Sequence, residues 1–120
     1  MAAGIYDFTG DQVCEQGATL RRVLTLTNED ASVFVLTGYT ARMQVRRTKE
    51  SSDVVLSLTT ENGRLVITAL TGVITLLVAA EDTAELDAAS YVYDLEIESS
   101  AGEVTRMFRG KFKVSREVTR

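Results

Sequence analysis

Tyr91-Val92-Tyr93-Asp94-Leu95-Glu96-Ile97-Glu98 is the stretch that decides the fold. Tyr91, Tyr93, Leu95 and Ile97 fall on one parity and Asp94, Glu96 and Glu98 on the other, the alternation expected of a strand with one buried and one wetted face. Aromatic and β-branched residues suit that pleated surface, and the acids keep the opposite face in water. Upstream, Tyr39 to Arg46 sets Ala41, Met43 and Val45 against Arg42, Gln44 and Arg46. Thr19 to Thr27 does the same with Leu20, Leu24 and Leu26 against Arg21, Val23 and Thr25. Arg22 falls on the apolar parity there, so either its guanidinium snorkels to the rim or the strand carries a bulge.

Working outward, Ile5 to Thr9 is a short alternating segment, and Gly10-Asp11 interrupts it before Val13 and Cys14. It reads as a split first strand, on a sheet edge or reaching to a neighbour. Downstream, Val104, Phe108, Phe112 and Val114 form the inward parity of a long last strand, with Arg106 on that same parity and Gly110 allowing a bend.

Turn residues join these strands. Asn62-Gly63 favours the positive φ of a type I′ turn, which predicts a hairpin from the Val54–Leu58 strand onto Arg64–Thr68. Thr71-Gly72 then reverses the chain into Val73–Val78, giving a three-stranded meander. Asn28 to Ser32 is a polar turn, Arg47 to Asp53 a polar loop expected to be mobile, and Ser99 to Gly102 a hairpin loop. Ala79 to Ala89 is rich in alanine with acids near its start, so one or two helical turns are expected just before the strand at 90–98.

Seven to nine antiparallel strands at intervals of about ten residues, with one short helical crossover, describe an all-β protein, an immunoglobulin-like β-sandwich. The 120 residues suffice for one domain spanning 1–120, with ends 1–9 and 116–120 expected to be flexible. A helical turn feeding into Tyr91 and Tyr93 resembles the setting of the corner tyrosine in such sandwiches; plain core aromatics are the other reading of these two residues.

The chain contains no histidine, which removes the commonest general base, triad partner and metal ligand. With one cysteine besides, a zinc site is excluded and no disulfide can close within the chain. No glycine-rich phosphate loop occurs. No catalytic residue, cofactor or metal is therefore expected, and the chain reads as a protein that is not an enzyme. Asp94, Glu96 and Glu98 as a carboxylate pair or calcium site weigh less than a solvated strand face, and Asp7, Asp11 and Glu15 are read the same way. Cys14 reads as a small packed residue, with a reactive thiol as the lesser reading. A net charge of −4 opposes nucleic-acid binding, no apolar run approaches the ~18 residues of a membrane span, and the start lacks a signal peptide's basic and apolar regions.

Charge is segregated along the chain. Residues 79–103 contain eight acids and no base, whereas 104–120 contain six bases and one acid. The two segments are hairpin neighbours, so cross-strand pairing accounts for part of this, and the rest can orient copies of the chain or a partner. Arg42, Arg46, Arg47 and Lys49 form a second basic group. Contact with partners is accordingly assigned to Arg42, Arg46 and Arg47 on one side and Arg109, Lys111 and Arg116 on the other.

Taken together, Tyr6-Asp7-Phe8, Glu15-Gln16-Gly17-Ala18-Thr19, Leu36 through Arg46, Thr60-Glu61-Asn62-Gly63 and Tyr91 through Glu96 resemble a group of small proteins encoded among the structural genes of tailed bacteriophages and prophages. Gly102 through Arg106, Gly110 through Ser115 and Glu117 through Arg120 fit the same pattern, and Leu36-Thr37-Gly38-Tyr39 is its most specific part. Where that family carries a proline, this chain has Arg116, so its tail is expected to be looser. The group is similar to the amino-terminal β-sandwich domain of phage upper-baseplate proteins. The resemblance implies a virion structural protein, made in the bacterial cytoplasm and acting without catalysis. Its role would be that of an adaptor in the tail, baseplate or fibre-attachment region, with other virion proteins and further copies of itself as partners. A capsid decoration protein is the next reading. A carbohydrate-binding module for the host surface comes after it, disfavoured by the lack of tryptophan.

Overall fold

Alternating parity along most of the chain is realised, among the described residues, as nine strands packed in two layers. The structure, a computed structural model, describes residues 4–118. The strands are β1 (Gly4–Ile5), β2 (Cys14–Glu15), β3 (Leu20–Thr25), β4 (Thr40–Arg46), β5 (Leu56–Thr59), β6 (Leu65–Thr68), β7 (Val73–Val78), β8 (Ser90–Glu98) and β9 (Val104–Ser115); the helical turn α1 (Ala80–Thr83) precedes β8. One sheet runs β1-β9-β8-β4-β5, with β2 also on β9, and the other runs β3-β7-β6. The fold is a β-sandwich.

β8 sits at the centre of the larger sheet, between β9 and β4. Its parity is as the alternation requires: Tyr91, Tyr93, Leu95 and Ile97 are buried and the residues between them half-buried. β4 buries Ala41, Met43 and Val45 beside them, and Leu20, Leu24, Leu65, Ile74, Leu76 and Val78 of the smaller sheet close the core from the other side. The β3 ladder is unbroken at Arg22, so there is no bulge. Its guanidinium instead reaches the carbonyls of Gln12 (3.1 Å) and Val13 (3.0 Å) at the rim.

The first strand is split as expected and lies on the sheet edge. Its two pieces, separated by a 3-10 turn at Gly10–Gln12, run parallel to β9, and the ladder continues through Phe8 opposite Phe112. The stretch expected to be a flexible end is in fact docked from residue 4 to residue 8. Tyr6 N–H donates to Arg109 O (3.0 Å), Phe8 N–H to Lys111 O (2.8 Å) and Lys113 N–H to Phe8 O (3.0 Å). Phe8 is wholly buried, its ring 5.0 Å from that of Phe112 and 5.1 Å from that of Tyr93. At the other end, Glu117 N–H donates to Gln16 Oε1 (3.1 Å). The remaining residues of both expected flexible ends, 1–3 and 119–120, lie outside the described residues.

Two expectations about turns and parity are corrected. Asn62-Gly63 does not close a hairpin within one sheet: β5 pairs with β4 and β6 with β7, so the turn is an arch carrying the chain from one layer to the other. Asn62 holds the arch, its Oδ1 accepting N–H groups from Thr59 and Arg64 (both 3.0 Å) and its Nδ2 donating to Ser57 O (3.0 Å). An arch lets Leu56 and Leu58 bury from one sheet and Leu65 from the other, where a flat meander would put all three in one layer. The second correction concerns β9. Leu95 pairs with Phe108 but Glu96 pairs with Arg106, so Met107 is the extra residue of a bulge. A single inserted residue exchanges the faces beyond it. Met107 is therefore buried, Val104 is 45% exposed, and Arg106 points outward instead of sharing the core parity.

Both tyrosines of β8 are core aromatics with anchored hydroxyls. Tyr91 donates to the carbonyl of Asp87 (2.7 Å), tying the strand to the loop after α1, which is the corner arrangement. Tyr93 donates to the carbonyl of Tyr6 and so pins the first strand. Tyr91→Phe removes the donor to a carbonyl that water can reach, so a stability loss of about 1 kcal/mol is expected from urea denaturation with the slope unchanged.

Candidate functional site

The outer face of the larger sheet is an array whose rows are set by ladder register. Across β4, β8 and β9 the rows read Arg42, Glu96, Arg106; then Gln44, Asp94, Arg109; then Arg46, Val92, Lys111. Around the first of these, Glu96 and, on either side of it along β8, Asp94 and Glu98 neutralise Arg42 and Arg106 of the neighbouring strands. Arg42 Nε lies 3.1 Å from Glu96 Oε1 and its Nη1 3.1 Å from Glu98 Oε1, while Arg106 Nε lies 3.4 Å from Asp94 Oδ2. Glu96 and Glu98 hold the Arg42 guanidinium above its ordinary pKa by accepting its hydrogen bonds, Glu96 with the larger effect and Glu98 next. The acidic face of β8 is thus taken up by pairing within the sheet. As solvent-exposed pairs, each contributes little to stability, ~0–1 kcal/mol.

Neutralisation stops at Val92. Where the alternation of acids would put a carboxylate between Arg46 and Lys111, the central strand has an apolar residue. Among the described residues, Lys49, Arg109 and Lys111 have no carboxylate within ion-pair distance. Arg46 is held by neutral groups, its Nη1 donating to Ser51 O (2.7 Å) and its Nη2 to Gln44 Oε1 (2.8 Å). The first hydrogen bond ties down the polar loop that follows β4, and that loop brings Lys49 over the sheet as one wall. On the other side Ile5 of β1 lies 71% exposed. Between them runs a groove of about 650 Å³, lined by five bases (Arg46, Lys49, Arg106, Arg109, Lys111) and two acids (Asp7, Asp94). Asp94 is already paired with Arg106, and Asp7 Oδ1 accepts the backbone N–H of Lys111 (2.9 Å). A shallow basic groove on a protein of net charge −4 is suited to holding an anionic surface in one orientation.

Of the six candidate contact residues, Arg46, Arg109 and Lys111 come together in this groove, although the sequence placed them on two sides. The other three stand elsewhere. Arg42 is spent on Glu96 and Glu98. Arg47 pairs with Asp87 (3.3 Å) and its guanidinium carbon lies 5.3 Å from the centre of the Tyr91 ring, a stacking role at the base of β8. Arg116 is exposed beside Gln16, Asp87 and Glu117. Val92 and Ile5 were missed, and only the strand registers bring them to the groove.

Cys14 is wholly buried, opposite Val114 on β9. Burial pushes its thiol from 9.0 up to about 11, against a smaller opposing effect of the Arg22 guanidinium. The folded protein therefore keeps this proton to higher pH than the unfolded chain does. The corresponding stability is fully present below pH 9.0 and is lost as pH rises towards about 11. Replacing Cys14 by alanine is expected to flatten the fall in melting temperature across that window, and a profile parallel to that of the parent would contradict the assignment.

Among the described residues no group of three His, Cys, Asp or Glu side chains is placed to hold a metal ion, and no helix is long and apolar enough to cross a membrane. No protein-family model matches the chain, and no curated protein matches it either. Among solved structures, that of CopC from Methylosinus trichosporium OB3b is similar, with 17% identity, 67% of this chain and 66% of that chain covered, and a TM-score of 0.40. The chain thus spans slightly under two thirds of that protein, and its own ladders are what define the architecture described above.

Proposed function

We propose that the chain is a non-enzymatic structural component of a tailed-bacteriophage virion, an adaptor in the tail, baseplate or fibre-attachment region that works through protein–protein contacts. The resemblance of its sequence to such proteins supplies the setting. The observation that carries the contact role is the row Arg46–Val92–Lys111, where the bases are left without a carboxylate, whereas at the other end of the same sheet face Arg42 and Arg106 are both paired. A face selected for solubility alone has no need of that asymmetry. A second surface supports the same reading. On the outer face of the smaller sheet Val23, Thr75 and Val66 form one uncharged row, with Val23 57% and Val66 48% exposed.

Reversing Arg109 and Lys111 together to glutamate tests the proposal. Both project outward, so the melting temperature is expected to shift little, while incorporation of the protein into purified particles is expected to be lost. Normal incorporation of the folded variant would overturn the role of the groove. Gold labelling of a tagged copy, viewed by electron microscopy, is expected to mark the distal tail. Label distributed over the head would replace the adaptor with a capsid decoration protein.

A further inference from the structure

The groove is one half of a complementary pair, and the other half lies on the same chain. From Glu81 to Asp87 the turn α1 and the residues after it present four acids in seven positions. Asp82 is engaged by Arg64 (3.0 Å) and Asp87 by Arg47 (3.3 Å). Glu81 and Glu85 are exposed and, among the described residues, have no base within ion-pair distance. Glu81 lies in α1 and Glu85 in the turn directly after it, four residues on. Arg109 and Lys111 stand two residues apart on one face of β9, a separation of roughly 7 Å.

We infer that the groove receives the acidic shoulder at Glu81 and Glu85 of a second copy of this chain. The inference rests on the reading of the groove as a contact surface and names its occupant. One copy's groove taking the next copy's shoulder is a head-to-tail contact. Such contacts repeat until the rotation closes a ring, or continue as a filament where it does not. Charge complementarity selects the orientation, with the apolar Val92 between Arg46 and Lys111 and the exposed Ile5 at the outer edge of β9. Val92 has a specific part: a carboxylate there would neutralise Arg46 and Lys111 within the chain and leave the groove nothing to recruit.

The test is sedimentation velocity over a range of protein concentrations, at about 0.02 M and about 0.5 M salt, where screening lengths differ severalfold. Association at low salt and its loss at high salt are expected for the parent chain. Arg109→Glu with Lys111→Glu should abolish it, as should Glu81→Lys with Glu85→Lys. An equimolar mixture of those two variants should associate again, because each then presents the charge the other's surface requires. Val92→Glu should be monomeric with an unchanged or raised melting temperature. A parent chain that stays monomeric up to its solubility limit would overturn the inference, as would association that persists in both reversed variants or a mixture that fails to recover. Groove reversal that blocks incorporation into particles while leaving self-association intact would also overturn it, with the contact role of the groove still standing.

Discussion

Phe8→Ala is expected to cost about 3–5 kcal/mol, the range for removing a large aromatic from a packed interior. Phe8 is wholly buried and its ring meets those of Tyr6, Tyr93 and Phe112 at 5.0, 5.1 and 5.0 Å. Little in its surroundings can move in to fill the space. Phe112 is fixed in the β9 ladder, and Tyr93 is tethered through its hydroxyl to the Tyr6 carbonyl. Against a total of about 5–15 kcal/mol for a domain of this kind, such a loss leaves a protein close to its unfolding threshold. Chemical denaturation would measure it directly. A loss below about 1 kcal/mol would mean that the site collapses freely, and that the first strand adds little to the core.

Gly110→Ala is expected to be nearly as damaging, for a steric reason. A Cβ at this position would lie 2.4 Å from the carbonyl oxygen of Tyr6 and 2.5 Å from Asp7 Oδ1. The first of these is backbone, held by ladder hydrogen bonds on either side, so relief requires the whole first strand to move away from β9. A cost of about 2–3 kcal/mol follows from comparable overpacking. Hydrogen exchange locates it: protection at the Tyr6 and Phe8 amides should fall, while that of β4 and β7 amides changes only with the global loss. Equal loosening of every strand would argue that Gly110 matters for strand curvature and not for the approach of the first strand. Because Phe8→Ala and Gly110→Ala act on one docked segment, the double variant should lose less than the sum of the two.

How much of this was legible in the sequence depends on whether a feature is local or needs a register. The strands β3, β4, β7 and β8 could be read directly, because burial on one face imposes a period of two that survives in composition. The helical turn before β8 and the loop at Ser99 to Gly102 were equally local. The arch at Asn62-Gly63 was not legible, since the same dipeptide serves a hairpin or a crossing between layers, and the choice is made by which partners β5 and β6 find. Met107 hid for a related reason. A bulge is a mismatch between two strands, invisible in either alone, and it moved Arg106 from the expected core parity to the outer face. The groove combines both difficulties. Its bases come from β4, β9 and a loop, and its distinguishing residue is Val92, an ordinary apolar side chain until the neighbours in its row are known.

The docking of the first strand on β9 also bears on how the chain reaches its fold. Asp7 and Lys111, which share a hydrogen bond, are 104 residues apart in sequence, so the edge of the larger sheet can be completed only after almost all of the intervening chain has emerged from the ribosome. Until then the aromatic ring of Phe8 has no Phe112 or Tyr93 to pack against, and the newly made segment must wait exposed. High contact order of this sort slows folding and lengthens the interval in which sticky intermediates meet one another. The yield of the chain in soluble form is accordingly expected to rise with abundant chaperones or a lower growth temperature, both of which act within that interval.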